Sequence, residues 1–253
     1  MPEKVSEKIL AIETSGKSLG VALLASAPGG GITVPGEVFL EAGTRHSEAL
    51  SSACRFLTFS CGWEKVDLTL LAVCTGPGSF TGLRVGVAYA RTLAQFLKIP
   101  LLGISAFEVL ARSAAKVWSS QADLFCVLVE SIGNDVFAGF YRPRSRKFQG
   151  AFQAVAVPDL MKQLEKLSAK KILFVGRAGF KLEAALRRSL KGKTVLLPRD
   201  PLLHAPQARV LAEIAWERAR SARPSAQAWR KVVPAYLRKP IAVERREYRN
   251  QRI

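Results

Sequence analysis

The chain has 253 residues, 49% of them apolar, which is enough for a sizeable core in one large or two ordinary domains. Its formal net charge of +18 lies in one half: residues 1–140 carry 11 Lys/Arg against 12 Asp/Glu, and residues 141–253 carry 27 against 8. Four cysteines without a C-x-x-C pair exclude a disulfide scaffold. The uncharged run Leu68 to Leu83 is broken by Gly-Pro-Gly and falls short of the ~20 apolar residues a bilayer span needs.

In chain order, KILAIETSGKSLGVALLAS reads as two apolar strands, Ile9–Ile12 and Leu19–Ala25, joined by the tight turn Thr14-Ser15-Gly16-Lys17. Ile32–Leu40 is a third strand, and a helix follows from Ser47, its expected N-cap, to Phe59. Leu68–Cys74 is a continuous apolar run, the pattern of a strand buried on both faces. The turn Gly76-Pro77-Gly78 then launches a long helix, with Ser79 or Thr81 as its cap. A short strand over Pro100–Ser105 and a helix over Ala106–Val117, capped by Ser105, complete the first half. The second half repeats this order more loosely. A strand pair spans Phe125–Glu130 and Asp135–Tyr141, followed by a helix at Pro158–Leu167, a strand at Lys171–Val175, a helix at Leu182–Leu190, a strand at Thr194–Leu197 and a helix at Pro206–Ser221. A hairpin followed by alternating strand and helix, twice, predicts a duplicated α/β fold. The expected division is a first lobe over 1–112, a second over 113–222, and a basic segment over 223–253 that packs back on the first lobe. The opening MPEKVSEKIL has no apolar signal core, so the cytoplasm is the expected compartment.

The glycine-rich turn fails both phosphate-loop spacings. A Walker A loop requires Lys-Ser/Thr where Leu83-Arg84 stand, and the dinucleotide fingerprint requires a third glycine one residue before Gly82. Its helix carries Leu83, Val87, Ala90, Ala94 and Leu97 at spacings of 4, 3, 4 and 3, the seam of a close helix–helix contact. Val85, Ala88, Tyr89 and Phe96 form a second apolar face, and Gly82, Gly86, Ala88, Ala90 and Ala94 permit close approach. We therefore expect the seam to dock a partner.

His46 and His204 are the only histidines, and His46 is expected to be exposed at a helix start, where a partner could meet it. No H-x-x-x-H, H-E-x-x-H, G-x-S-x-G or acidic metal cluster occurs, so neither a protein-held metal nor a catalytic residue is expected. Glu13 and Glu130 end buried strands, either as acids, bases or magnesium contacts facing one cleft or as acceptors of turn N–H bonds. The basic half suits a polyanion such as RNA, though no aromatic-interleaved RNA motif accompanies it.

Together, ILAIETS (Ile9–Ser15), HSEAL (His46–Leu50), GPGSFTGLRVG (Gly76–Gly86), PLLGIS (Pro100–Ser105) and VPAYLR (Val233–Arg238) resemble the TsaB (YeaZ) family of the ASKHA superfamily. The resemblance implies a two-lobed ASKHA fold (actin-like, RNase H-like), a duplicated βββαβαβα unit whose second lobe is degenerate. It implies a non-catalytic accessory subunit in making N6-threonylcarbamoyladenosine in tRNA, which activates a TsaD-type transferase by heterodimerisation and is joined by a TsaE-type ATPase. The implied partner surface comprises the His46–Phe59 and Thr81–Leu97 helices, with His46, Leu50, Leu83, Val87, Ala90, Ala94 and Leu97. Thr14, Ser15 and Gly16 stand where ASKHA relatives hold nucleotide phosphate, as a vestigial turn. This chain is expected to hold no cofactor alone, with ATP or ADP in the complex, tRNA arriving through the complex, and a homodimer open to the isolated chain. Two departures stand out. Glu13 replaces the commoner Asp, and VESIGNDVF (Val129–Phe137) replaces a pattern like I-D-A-R-x-x-E-V-Y. The competing readings are an ASKHA-type kinase or transferase acting alone and a basic RNA-binding module.

Overall fold

A computed structural model describes residues 6–27, 30–41, 43, 45–131 and 133–237. The first lobe runs β1 (Lys8–Glu13), β2 (Leu19–Ser26), β3 (Ile32–Leu40), α1 (His46–Ser60), β4 (Leu70–Gly76), α2 (Phe80–Leu97) and β5 (Leu101–Ser105). Helix α3 (Ala106–Trp118) leads into the second lobe: β6 (Leu124–Glu130), β7 (Asp135–Arg142), β8 (Lys147–Ala156), α4 (Val157–Lys166), β9 (Lys171–Val175), α5 (Ala178–Ser189) and β10 (Thr194–Leu196). The last helix is α6 (Ala208–Ser221).

The sheets are ordered β3-β2-β1-β4-β5 and β10-β9-β6-β7-β8. In each, the first three strands form an antiparallel meander and the last two add in parallel beside the first. This is the duplicated two-lobed fold expected. Alternation along β1 explains the layering: Leu10 and Ile12 join the core under α1 and α2, while Ile9 and Ala11 face α6 and α3. Helix α3 packs its Phe107, Leu110 and Ala114 on the second sheet beside Phe125 and Val127, which ties the lobes together.

Two expectations change. The sequence pattern misses strand β8, because it is an edge strand whose larger apolar residues Phe148, Phe152 and Val155 are interrupted by Gln149, Gly150 and Gln153 and do not alternate. Helix α6, placed by sequence in the second lobe, packs on β1, β2 and β4 of the first through Val210, Leu211, Ile214 and Ala215. Beyond it, Val232 enters the α1–α2 side of the first core. The basic stretch from Arg238 onward lies outside the described residues. The four cysteines are free thiols, and among the described residues no helix is long and apolar enough to cross a membrane.

Candidate functional site

The lobes enclose a cleft of about 890 Å³ lined by the β1–β2 turn, the start of α2, the ends of β6 and β9, and the chain's last described residues. Its floor is the contact between the turn and α2. Ser79 N–H donates to Ser15 O at 2.7 Å, and Thr14 Oγ1 donates to Gly82 O at 2.8 Å. Ser79 also caps α2 by accepting from Gly82 N–H at 3.2 Å, as its sequence position predicts. The glycines make this approach possible. A Cβ on Gly78 would lie 2.1 Å from Ser15 O, one on Gly82 2.1 Å from Thr14 O, and one on Gly86 2.1 Å from Thr14 Oγ1.

Glu13, Thr14 and Ser15 are all buried here. The Glu13 Oε1 atom accepts from both Ser15 N–H and Ser15 Oγ–H at 2.5 Å, and Gly16 N–H also bonds this carboxyl. The turn donors that would meet a phosphate therefore already hold the chain's own carboxyl. Burial raises the Glu13 pKa against the lowering effect of the Cys74 thiol beside it and of the bonds from Ser15 and Gly16. Of the two roles open to Glu13, the structure realises the acceptor of turn N–H bonds. Glu130 lines the cleft and pairs with Lys181 at 2.7 Å.

On the opposite wall, Gly176 N–H donates to His204 Nδ1 at 3.1 Å, and His204 Nε2 bonds Pro198 O at 2.7 Å. Both bonds are satisfied by the neutral tautomer carrying its proton on Nε2. Burial lowers the His204 pKa, so the unfolded state binds the proton more readily than the folded state. The stabilisation is thus complete above the unfolded value of about 6.5 and is lost as pH falls through the lower folded value, by at most ~1.4 kcal/mol per pH unit. Thermal melts between pH 7.5 and 5 are expected to show a steeper loss in the wild type than in His204→Gln. Parallel curves would show that His204 does not titrate on unfolding.

Two contacts across the cleft had no strong sequence signal. Arg177 after β9 pairs with Glu41 of the first lobe at 2.5 Å. The segment Val232–Leu237 crosses the cleft wall: Ala235 N–H donates to Thr75 O at 2.8 Å, Tyr236 lies 5.2 Å from Phe80 ring to ring, and Leu237 packs on the inter-lobe core. The VPAYLR motif marked this segment without indicating what it touches.

The expected docking seam is a correction. Leu83, Val87, Ala90 and Ala94 are buried; Val87, Ala90 and Ala94 pack with Leu50 and the partly buried Leu97 in the core between α1, α2 and their own sheet, while Leu83 lines the cleft. A 4-3-4-3 spacing marks any close apolar contact, and here the sheet takes it. His46 is also buried rather than exposed; its Nε2 contacts Ser18 O at 3.2 Å. Ser47 does not cap α1, which begins at His46 after Arg45. The unpartnered face is the other one. Phe56 and Phe59 on α1 are 64% and 87% exposed, and Phe96 on α2 is 77% exposed. Between the helices lies a groove of about 310 Å³ lined by Cys54, Tyr89, Leu93 and Phe96. Among the described residues, no group of three or more His, Cys, Asp or Glu side chains is placed to hold a metal ion.

Residues 26–243 match the family model described as TsaD, tRNA N6-adenosine threonylcarbamoyltransferase. The tRNA threonylcarbamoyladenosine biosynthesis protein TsaB of Bacillus subtilis (strain 168) is 31% identical over 170 residues, covering 66% of this chain and 70% of that protein. The TsaB of Escherichia coli (strain K12) is 26% identical over 165 residues, covering 64% of this chain and 68% of that protein. The solved structure of YeaZ from Pseudomonas aeruginosa superposes with a TM-score of 0.69 at 23% identity, covering 91% of this chain and all of that one (100%).

Proposed function

The chain belongs to the TsaB (YeaZ) family, and on that basis we propose that it is a cytoplasmic accessory subunit of tRNA threonylcarbamoyladenosine biosynthesis that acts by pairing with a TsaD-type transferase. The observation that carries this reading is the exposure of Phe56, Phe59 and Phe96 on the adjacent helices α1 and α2, with Phe96 bordering the groove between them. Large aromatic side chains this exposed are the composition of a protein interface rather than of a solvated surface. The proposed contact is a bundle in which α1 and α2 meet helices of the transferase. Without that partner, the same face would pair two copies of this chain.

In this reading the chain scaffolds and does not catalyse. The internal carboxyl at Ser15 and Gly16 favours nucleotide being held elsewhere in the assembly, with ATP or ADP managed by the transferase and a TsaE-type ATPase, and tRNA arriving through the complex. The inter-lobe cleft supports a second reading, a nucleotide-dependent kinase or transferase acting alone. The test is co-purification with the cell's own TsaD-type protein, alongside assay of the isolated chain for turnover of ATP or threonylcarbamoyl-adenylate. A one-to-one complex and an inert isolated chain are expected. Turnover by the chain alone would favour the second reading.

A further inference from the structure

Seven of the 27 Lys and Arg residues of the second half gather at one edge of the second sheet. Strands β6 and β9 end at the cleft, so their starts, and that of the parallel β10, lie at the opposite edge. Leu124 pairs with Ile172 there, and Lys171 with Thr194. Strand β7 runs the other way and ends at this edge, where Arg142 pairs with Lys147 across the β7–β8 turn. The topology thereby gathers Arg144, Arg146 and Lys147 in that turn, Lys170 and Lys171 at the start of β9, and Lys191 and Lys193 before β10. All but the half-buried Lys193 are exposed. Among the described residues, none of them forms an ion pair.

The acid on this edge between these strands, Asp123, has its Oδ2 bonded by the Lys170 and Lys171 backbone N–H groups at 3.1 and 2.9 Å. It braces the strand ends and offsets part of the charge, since Arg144 and Lys171 attract its carboxylate, but the cations of this edge outnumber it. Several other cations of the second half are matched: Lys162 with Asp159, Arg187 and Arg199 with Glu183, and Arg218 with Glu108.

We infer that this edge, remote from the cleft, binds the sugar-phosphate backbone of RNA. Five strands at about 4.8 Å spacing spread the cations over ~19 Å, enough to meet several successive phosphates of one strand. No large hydrophobic residue exposed in the structure lies in these turns, which favours a hydrated polyanion over insertion into an anionic membrane. Base recognition is not implied: lysines and arginines without aromatic platforms position a backbone and do not read sequence. With α1 and α2 on the first lobe engaged by a partner, the edge stays open to draw RNA toward the assembly. The inference rests on the proposed tRNA role only for which RNA is bound.

The test is titration of unmodified tRNA against the isolated chain at 50 and 200 mM salt, with the variant R144E/K147E/K171E and its milder counterpart R144Q/K147Q/K171Q. Wild-type binding is expected to weaken steeply with salt. Charge reversal is expected to weaken it at least tenfold at 50 mM salt and to reduce the log–log salt slope by about 2–3, and the Gln variant by less in affinity. Melting temperatures and affinity for the TsaD-type partner should not move. Unchanged tRNA affinity in both folded variants overturns the inference, as does binding of the edge to phosphatidylserine vesicles in place of tRNA. If the chain binds tRNA through this edge but never binds the transferase, the inference stands and the accessory-subunit reading fails.

Discussion

Gly82→Ala is expected to destabilise the chain by about 3 kcal/mol or more, lowering the melting temperature by about 6–12 °C. The added methyl would sit 2.1 Å from the Thr14 carbonyl oxygen, a backbone atom of the buried β1–β2 turn. Relief requires α2 to retreat from the turn, which breaks the Thr14 Oγ1 bond to Gly82 O and the Ser15 O bond from Ser79 N–H, both buried or nearly so. It also opens the core under Val87, Ala90 and Ala94. Gly16→Ala is the control. Its nearest heavy atoms would lie 3.9 Å away, so a change within about 0.5 kcal/mol is expected, although Gly16 belongs to the same turn. Calorimetric or circular-dichroism melts of the two variants separate the explanations. Equal melting temperatures would mean that the helix-to-turn approach does not set the stability of the first lobe.

The double variant Phe59→Arg/Phe96→Arg is expected to lose at least 100-fold in affinity for the TsaD-type partner while melting within a few degrees of the wild type. Both side chains are mostly exposed, so their replacement removes little folded-state packing. At an interface, each aromatic anchor is worth ~2 kcal/mol or more, and the introduced cations would be buried without partners. Ala90→Arg behaves differently. Ala90 has no exposed surface, so the new side chain disrupts the first-lobe core, and any loss of binding follows from unfolding. Titration calorimetry combined with melting curves separates the two. A double variant that binds with wild-type affinity would remove the aromatic face from the interface.

Much of the fold is legible in local sequence. The β1–β2 hairpin, the apolar β4, and the caps Ser79 and Ser105 follow from patterns within a few residues of one another. The meaning of the α2 seam was not legible in this way. Leu83, Val87, Ala90 and Ala94 recur with the spacing that either a partner helix or an underlying sheet demands, and only the position of β4 and β1 decides between them. The small residues Gly82 and Gly86 were read as fitting a second chain. They fit Thr14, 68 residues from Gly82 and joined to it by a hydrogen bond. His46 was misread for the same reason, since its contact with Ser18 O joins residues 28 apart. Burial and partners created by folding back are invisible to periodicity. The basic edge is a further instance. Its residues are scattered from Arg144 to Lys193 in sequence and meet only through the order β10-β9-β6-β7.

The measurement that bears most directly on the central reading is tRNA threonylcarbamoylation in a reconstituted system containing the TsaD-type transferase and the TsaE-type ATPase. It would be run with the wild-type chain, with Phe59→Arg/Phe96→Arg, and with no chain. The account predicts full modification only with the wild type, and the double variant no better than omission. Equal modification in all three reactions, or modification by this chain without the transferase, would contradict it.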